Sequence, residues 1–165
     1  MGKNKIVQYY VEGDDEVKFL STLKTDLQLI LPGKVQKVNV VTEKITNMRL
    51  MTLKPKTTVV LIFDTDRGPW DILKSNITML EKCPQVSDIV IVPQNKNLEN
   101  ELVRCCDISR ATALLDSQGA RNFKRDFIRT SNLAAKLIEH HFDIKKLWKG
   151  QFANIRNDSE KIKIT

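Results

Sequence analysis

The chain has 165 residues, 41% hydrophobic and 28% charged, the balance of one ordinary globular domain with enough material for a core. No apolar run approaches the ~20 residues of a membrane-spanning helix, so no membrane partner is expected. The formal net charge of +7 favours a polyanionic partner, nucleic acid or nucleotide.

Lys5–Val11 is rich in β-formers and predicts a first strand. It runs into Glu12-Gly13-Asp14-Asp15-Glu16, where glycine suits a tight turn and the acids suit the positive end of a helix. The stripe Val17, Phe19, Leu20, Leu23, Leu27 and Leu29 predicts that helix, closed by Pro32-Gly33. The alternation over Val35–Val41 predicts a second strand, and Glu43–Leu53 a helix. Thr57–Phe63 is continuously apolar and β-branched, as in a strand buried on both faces of a parallel sheet. Arg67-Gly68-Pro69 is a turn, Trp70–Cys83 a helix, Asp88–Val92 a fourth strand, and a helix begins near Leu98. Alternating β and α elements argue for a doubly wound parallel sheet of about four strands flanked by helices. Beyond Cys106 only helices are expected, over Asp107–Asp116, Asn122–Arg129 and Asn132–Phe142, with Asn157–Thr165 as a tail. The expected organisation is thus an α/β domain over 1–106 and a basic helical extension over 107–165.

Three cysteines, Cys83, Cys105 and Cys106, form neither an even set nor a CxxC pair. They suggest no disulfide framework or zinc site and fit a reducing cytoplasm. The N-terminus leads directly into the first strand and is not read as a signal peptide. His140-His141 reads as the polar end of a helix, and Trp70, Phe123, Phe127 and Trp148 read as core.

Chemistry concentrates at the carboxyl ends of the predicted strands, where open α/β sheets bind ligands. Strand 1 ends in Glu12, strand 3 in Asp64-x-Asp66, and strand 4 leads to Glu99 and Glu101. Several carboxylates converging on one sheet edge repel one another, and a divalent cation relieves that repulsion. A cation held there polarises a phosphoryl oxygen and activates water. The plainer reading is that Asp64 and Asp66 cap the turn that follows.

At Val11-Glu12-Gly13-x-x-Glu16 and Phe63-Asp64-Thr65-Asp66 the sequence resembles the TOPRIM family, the fold of topoisomerases, primases and overcoming-lysogenization-defect nucleases. The resemblance covers roughly Lys5 to Cys106 and is nearest to stand-alone TOPRIM-like proteins of bacterial defence and mobile elements. It implies a Rossmann-like sheet and a general acid/base or metal-ligand role for Glu12. It also implies Mg²⁺ (or Mn²⁺) on Asp64 and Asp66, and a downstream acid at Glu101 or, less directly, Glu99.

The resulting expectation is a metal-dependent phosphodiesterase or nuclease acting on DNA or RNA. Glu12, Asp64, Asp66 and Glu101 would form its metal site, and Arg67, Lys124, Arg125 and Arg129 would hold the phosphate backbone. A protein partner such as an ATPase is compatible with it. Two alternatives stand beside it. One is a non-catalytic module of the same fold that docks nucleic acid or a partner. The other is phosphoryl transfer through Asp64 as nucleophile, in which Gly68 departs from the residue that chemistry wants and Glu12 has no task.

Overall fold

The computed structural model describes residues 5–164. Four strands, β1 (Ile6–Val11), β2 (Lys34–Lys37), β3 (Thr57–Asp64) and β4 (Val86–Gln94), form one sheet in the order β2-β1-β3-β4. Every neighbouring pair is parallel. The expected α/β class and parallel, Rossmann-like sheet are therefore present.

β3 is central because its side chains are apolar toward both faces. Val60 and Ile62 join a core on one side, while Val59, Leu61 and Phe63 join a second core on the other. The first core is covered by α1 (Asp14–Ser21), α4 (Leu98–Cys105), α5 (Ala120–Arg129) and α6 (Leu133–Glu139). The second is covered by α2 (Asn47–Met51) and α3 (Asp71–Glu81). From β1 the chain moves outward to β2, then returns past β1 to β3. The strand order therefore reverses between β1 and β3, and the crevice outside their carboxyl ends is where such sheets take ligands. Glu12 and Asp64 stand at those two ends.

Four elements differ from the sequence expectation. β2 stops at Lys37, because Asn39 folds the chain back: its Oδ1 accepts from Val41 N at 3.1 Å and its carbonyl accepts from Thr42 and Glu43. Val38, Val40 and Val41 are buried, but as loop residues over α3. The helix expected over Glu43–Leu53 is only the single-turn α2, opened by Thr46 Oγ1 accepting from Arg49 N. α1 ends at Ser21 and continues as a π-helical turn, Thr22–Asp26. No helix forms over Asp107–Asp116 beyond a 3₁₀ turn at Ala111–Leu114, since Asp107 is committed to His140 and His141 at 3.1 and 2.6 Å.

The C-terminal residues are integral to the core. Phe123, Phe127, Leu137, Leu147, Trp148 and Ile162 share one apolar cluster with Tyr9, Phe19 and Leu102. The segment expected as a tail is likewise tied down, with Leu31 N donating to Ile162 O and Ile164 N to Leu29 O. Among the described residues, no helix is long and apolar enough to cross a membrane.

Candidate metal centre

Glu12 follows β1 directly, and Gly13 turns the chain in extended geometry into α1. Glu16 lies one turn further on. Side chains of a helix tilt toward its N-terminus, so Glu16 is aimed back at the strand end it came from. Asp64 closes β3 next to it. Glu12, Glu16 and Asp64 each present an oxygen such that the three atoms lie within 4.8 Å of one another.

Space is tight at the glycine. A Cβ on Gly13 would stand 3.1 Å from Asp15 Oδ1 and 3.3 Å from Glu16 Oε2. A side chain there would press the Asp15 and Glu16 carboxyls outward by a few tenths of an ångström.

These acids are poorly solvated. Asp15 and Glu16 are 4% and 5% exposed, and Asp15 Oδ1 and Glu16 Oε2 are buried with no hydrogen-bond partner. Burial first, then the neighbouring Asp15 carboxyl and the charge of Asp64, push the Glu16 carboxyl up to about 9. Burial first, then the hydrogen bond and charge of Glu12, push Asp64 up to about 8, while a hydrogen bond from Gln94 opposes this. Without a cation the cluster therefore holds protons that it would give up to a metal.

A buried carboxyl oxygen without a partner costs free energy, and a cation bound there would satisfy it. Three carboxyl groups suit a hard, oxygen-preferring cation such as Mg²⁺ or Mn²⁺. The residues fit the group.

The rest of the edge is braced. Thr65 Oγ1 donates to Gln94 O at 2.6 Å and accepts from Lys96 N at 2.9 Å, locking the loop after β3 to the loop after β4. Gln94 Nε2 donates to Asp64 Oδ1 at 2.9 Å.

Of the acids read from the sequence, Glu12 and Asp64 come together as expected. Asp66 lies outside the triad, exposed, with Asn97 Nδ2 at 3.4 Å from its Oδ2. Its charge still reaches Asp64 and the half-buried Glu99, whose carboxyl is raised by burial first and also by Asp15 and Asp66.

Glu101 corrects the expectation for a downstream metal acid. It is 0% exposed, and both of its oxygens are occupied by backbone amides, Oε2 by Asn95 N at 2.6 Å and Oε1 by Trp148 N at 3.1 Å. Arg104 lies 3.7 Å from the same carboxylate. Glu16, not Glu101, is the third acid that stands beside Glu12 and Asp64. Its signal was present in the spacing Glu12-Gly13-x-x-Glu16, which puts the second acid one helical turn from a strand end.

Basic residues flank this corner. α5 buries Phe123 and Phe127 against the core and leaves Arg121, Lys124, Arg125 and Arg129 exposed on its other side. Lys124 Nζ is 4.0 Å from Asp15 Oδ2, which places the start of this face at the acidic cluster. Arg125 is 3.7 Å from Asp126, and Arg67 is exposed on the loop after β3.

Comparison of the chain with protein-family models, curated proteins and solved structures finds no match to any of them.

Proposed function

We propose that the protein is a divalent-metal-dependent phosphodiesterase acting on nucleic acid, with a TOPRIM-like arrangement of its sheet and acids. The observation that carries the reading is the buried, unpartnered Glu16 carboxylate meeting Glu12 and Asp64 at the strand-order reversal. A bound Mg²⁺ or Mn²⁺ would supply Lewis-acid activation of a phosphoryl oxygen and of water. Glu12, Glu16 and Asp64 hold it, and Asp66 and Glu99 add negative charge at the rim. Lys124, placed between the cluster and the basic face of α5, meets the phosphate as it approaches. Arg125, Arg129 and Arg67 neutralise neighbouring phosphates without reading sequence.

The test is cleavage of labelled single- and double-stranded DNA and RNA in Mg²⁺ or Mn²⁺, beside the same reactions in EDTA and with Glu16→Gln. Cleavage lost in both controls supports the reading. Cleavage that persists in EDTA and in Glu16→Gln refutes it.

A second reading, a binding module without chemistry, is favoured by the Lys124–Asp15 approach, since a lysine partly offsets the acidic charge without a cation. It expects nucleic-acid binding unchanged by EDTA and no cleavage under any condition.

A further inference from the structure

Trp148 is buried at 0% exposure with its backbone at φ +57°, the left-handed region that bulky residues rarely adopt. A residue held in such a conformation needs its surroundings to over-determine it, and strain of this kind clusters at functional sites. Every polar atom of Trp148 is engaged. Its backbone N–H donates to Glu101 Oε1 at 3.1 Å, and its carbonyl accepts from Asn157 Nδ2 at 2.7 Å and Ser159 Oγ at 3.0 Å. Its indole Nε1–H donates to Gln94 Oε1 at 3.3 Å.

The last of these bonds fixes more than the indole. An indole N–H only donates, so the atom of Gln94 facing it must be the carbonyl oxygen. The amide nitrogen is then turned the other way, and it donates to Asp64 Oδ1 at 2.9 Å. Gln94 is 1% exposed and is paired with Asp64 across the ladder, so its amide does not have water as an alternative partner. With the indole N–H absent, the amide is free to flip and set its carbonyl oxygen against the Asp64 carboxylate.

We propose that Trp148 is a positioning residue of the metal centre, acting through Gln94 to hold the Asp64 carboxyl in place beside Glu12 and Glu16. The inference rests on the metal-site reading above and extends it. The segment beyond Cys106 is then part of the centre, and residues 5–106 alone would not hold it in working geometry. Outer partners of this kind carry a large share of a site's affinity, about ten- to a hundredfold per residue.

The test is a double-mutant cycle on Mn²⁺ affinity, measured by calorimetry on the full chain, with Trp148→Phe, Gln94→Met and the two combined. Trp148→Phe keeps an aromatic ring in the core and removes the donor, and because the ring is smaller its urea midpoint is read beside the affinity. About tenfold weaker Mn²⁺ binding is expected from Trp148→Phe, and the combined variant is expected to bind no more weakly than Gln94→Met, because Trp148 acts only through that amide. A purely structural Trp148 would give unchanged affinity, or losses that add, and either result overturns the proposal. If wild type binds no Mn²⁺, the metal reading falls and this inference falls with it. If wild type binds and Trp148→Phe binds equally well, this inference alone falls. A second measurement needs no substitution: Mg²⁺ added to ¹⁵N-labelled wild type is expected to shift the Trp148 indole resonance, and an unmoved resonance at saturating Mg²⁺ overturns the proposal.

Discussion

Glu101 and Trp148 are 47 positions apart in sequence and joined by a 3.1 Å hydrogen bond from backbone amide to carboxylate, both fully buried. With Asn95 N on its other oxygen, Glu101 satisfies two amides at once and staples the C-terminal segment to the loop after β4. Burial raises its carboxyl, and the bonds from Asn95 and Trp148 oppose that rise, so the fold stabilises this acid by hydrogen bonding in place of a metal.

A stability prediction follows from that staple. Glu101→Ala strands two buried N–H groups at about 1–3 kcal/mol each, so a loss of about 3 kcal/mol or more is expected in urea unfolding. Glu101→Gln keeps one acceptor and loses less. Folded Glu101→Gln is expected to bind Mn²⁺ as wild type does; a large loss of Mn²⁺ affinity without a loss of stability would return Glu101 to the metal site.

Glu16→Gln has the opposite profile. Above about pH 9, where that acid ionises, it removes a buried like charge from beside Asp15 and Asp64, so in EDTA there the variant is expected to be more stable than wild type, by about 1 kcal/mol. The same variant is expected to lose Mn²⁺ binding. Urea midpoints and calorimetry on one preparation check both halves, and a destabilised Glu16→Gln would show the carboxylate to be a structural acceptor.

The pH dependence of the metal-free protein has a definite sign. Asp64 and Glu16 titrate in the folded state near 8 and 9, against ordinary values of 3.8 and 4.5 that the unfolded chain would show. Between those limits the folded state holds more protons than the unfolded one, so stability falls as pH rises from about 4 to about 9. Unfolding in EDTA at pH 5, 7 and 9 is expected to show that decline, and saturating Mg²⁺ is expected to lift stability most at pH 9, where proton competition is weakest of the three. Stability that rises over this interval would contradict the assignment of these two acids.

The sheet and its chemical edge were legible because they depend on local pattern. The unbroken apolar run of Thr57–Phe63 dictates a strand buried on both faces, and Glu12 and Asp64 follow from being the first polar residues after two strands. What was not legible depends on partners distant in the chain. Glu101 resembles a metal acid until Trp148 is seen to claim it. Asp107 opens a plausible helix until His140 and His141 take its carboxylate. Alternation continues through Val41 and makes the second strand look longer than it is, whereas the Asn39 side chain ends the ladder after Lys37. Glu16 was visible in the motif, but choosing it over Asp66 required knowing how α1 is pitched against β3.

The basic face of α5 can be tested by binding alone, without any cleavage assay. Replacing Lys124, Arg125 and Arg129 with Gln is expected to weaken binding of a single-stranded oligonucleotide in EDTA. It is also expected to flatten log K against log salt by about one for each phosphate that no longer meets a cationic side chain. The weakening should be alike for unrelated sequences, because these residues meet phosphates and not bases. Fluorescence anisotropy between 50 and 200 mM salt, roughly the range over which such pairings fade, reads both quantities. An unchanged slope would show that α5 is a solvated face.

The central claim is that Glu12, Glu16 and Asp64 form one cation site, and calorimetric titration of Mn²⁺ into wild type, Glu16→Gln and Asp64→Asn tests it most directly. The account predicts binding to wild type with proton release, and loss of that heat in both variants. Wild-type binding that survives both substitutions, or no binding by wild type at pH 8, would contradict it.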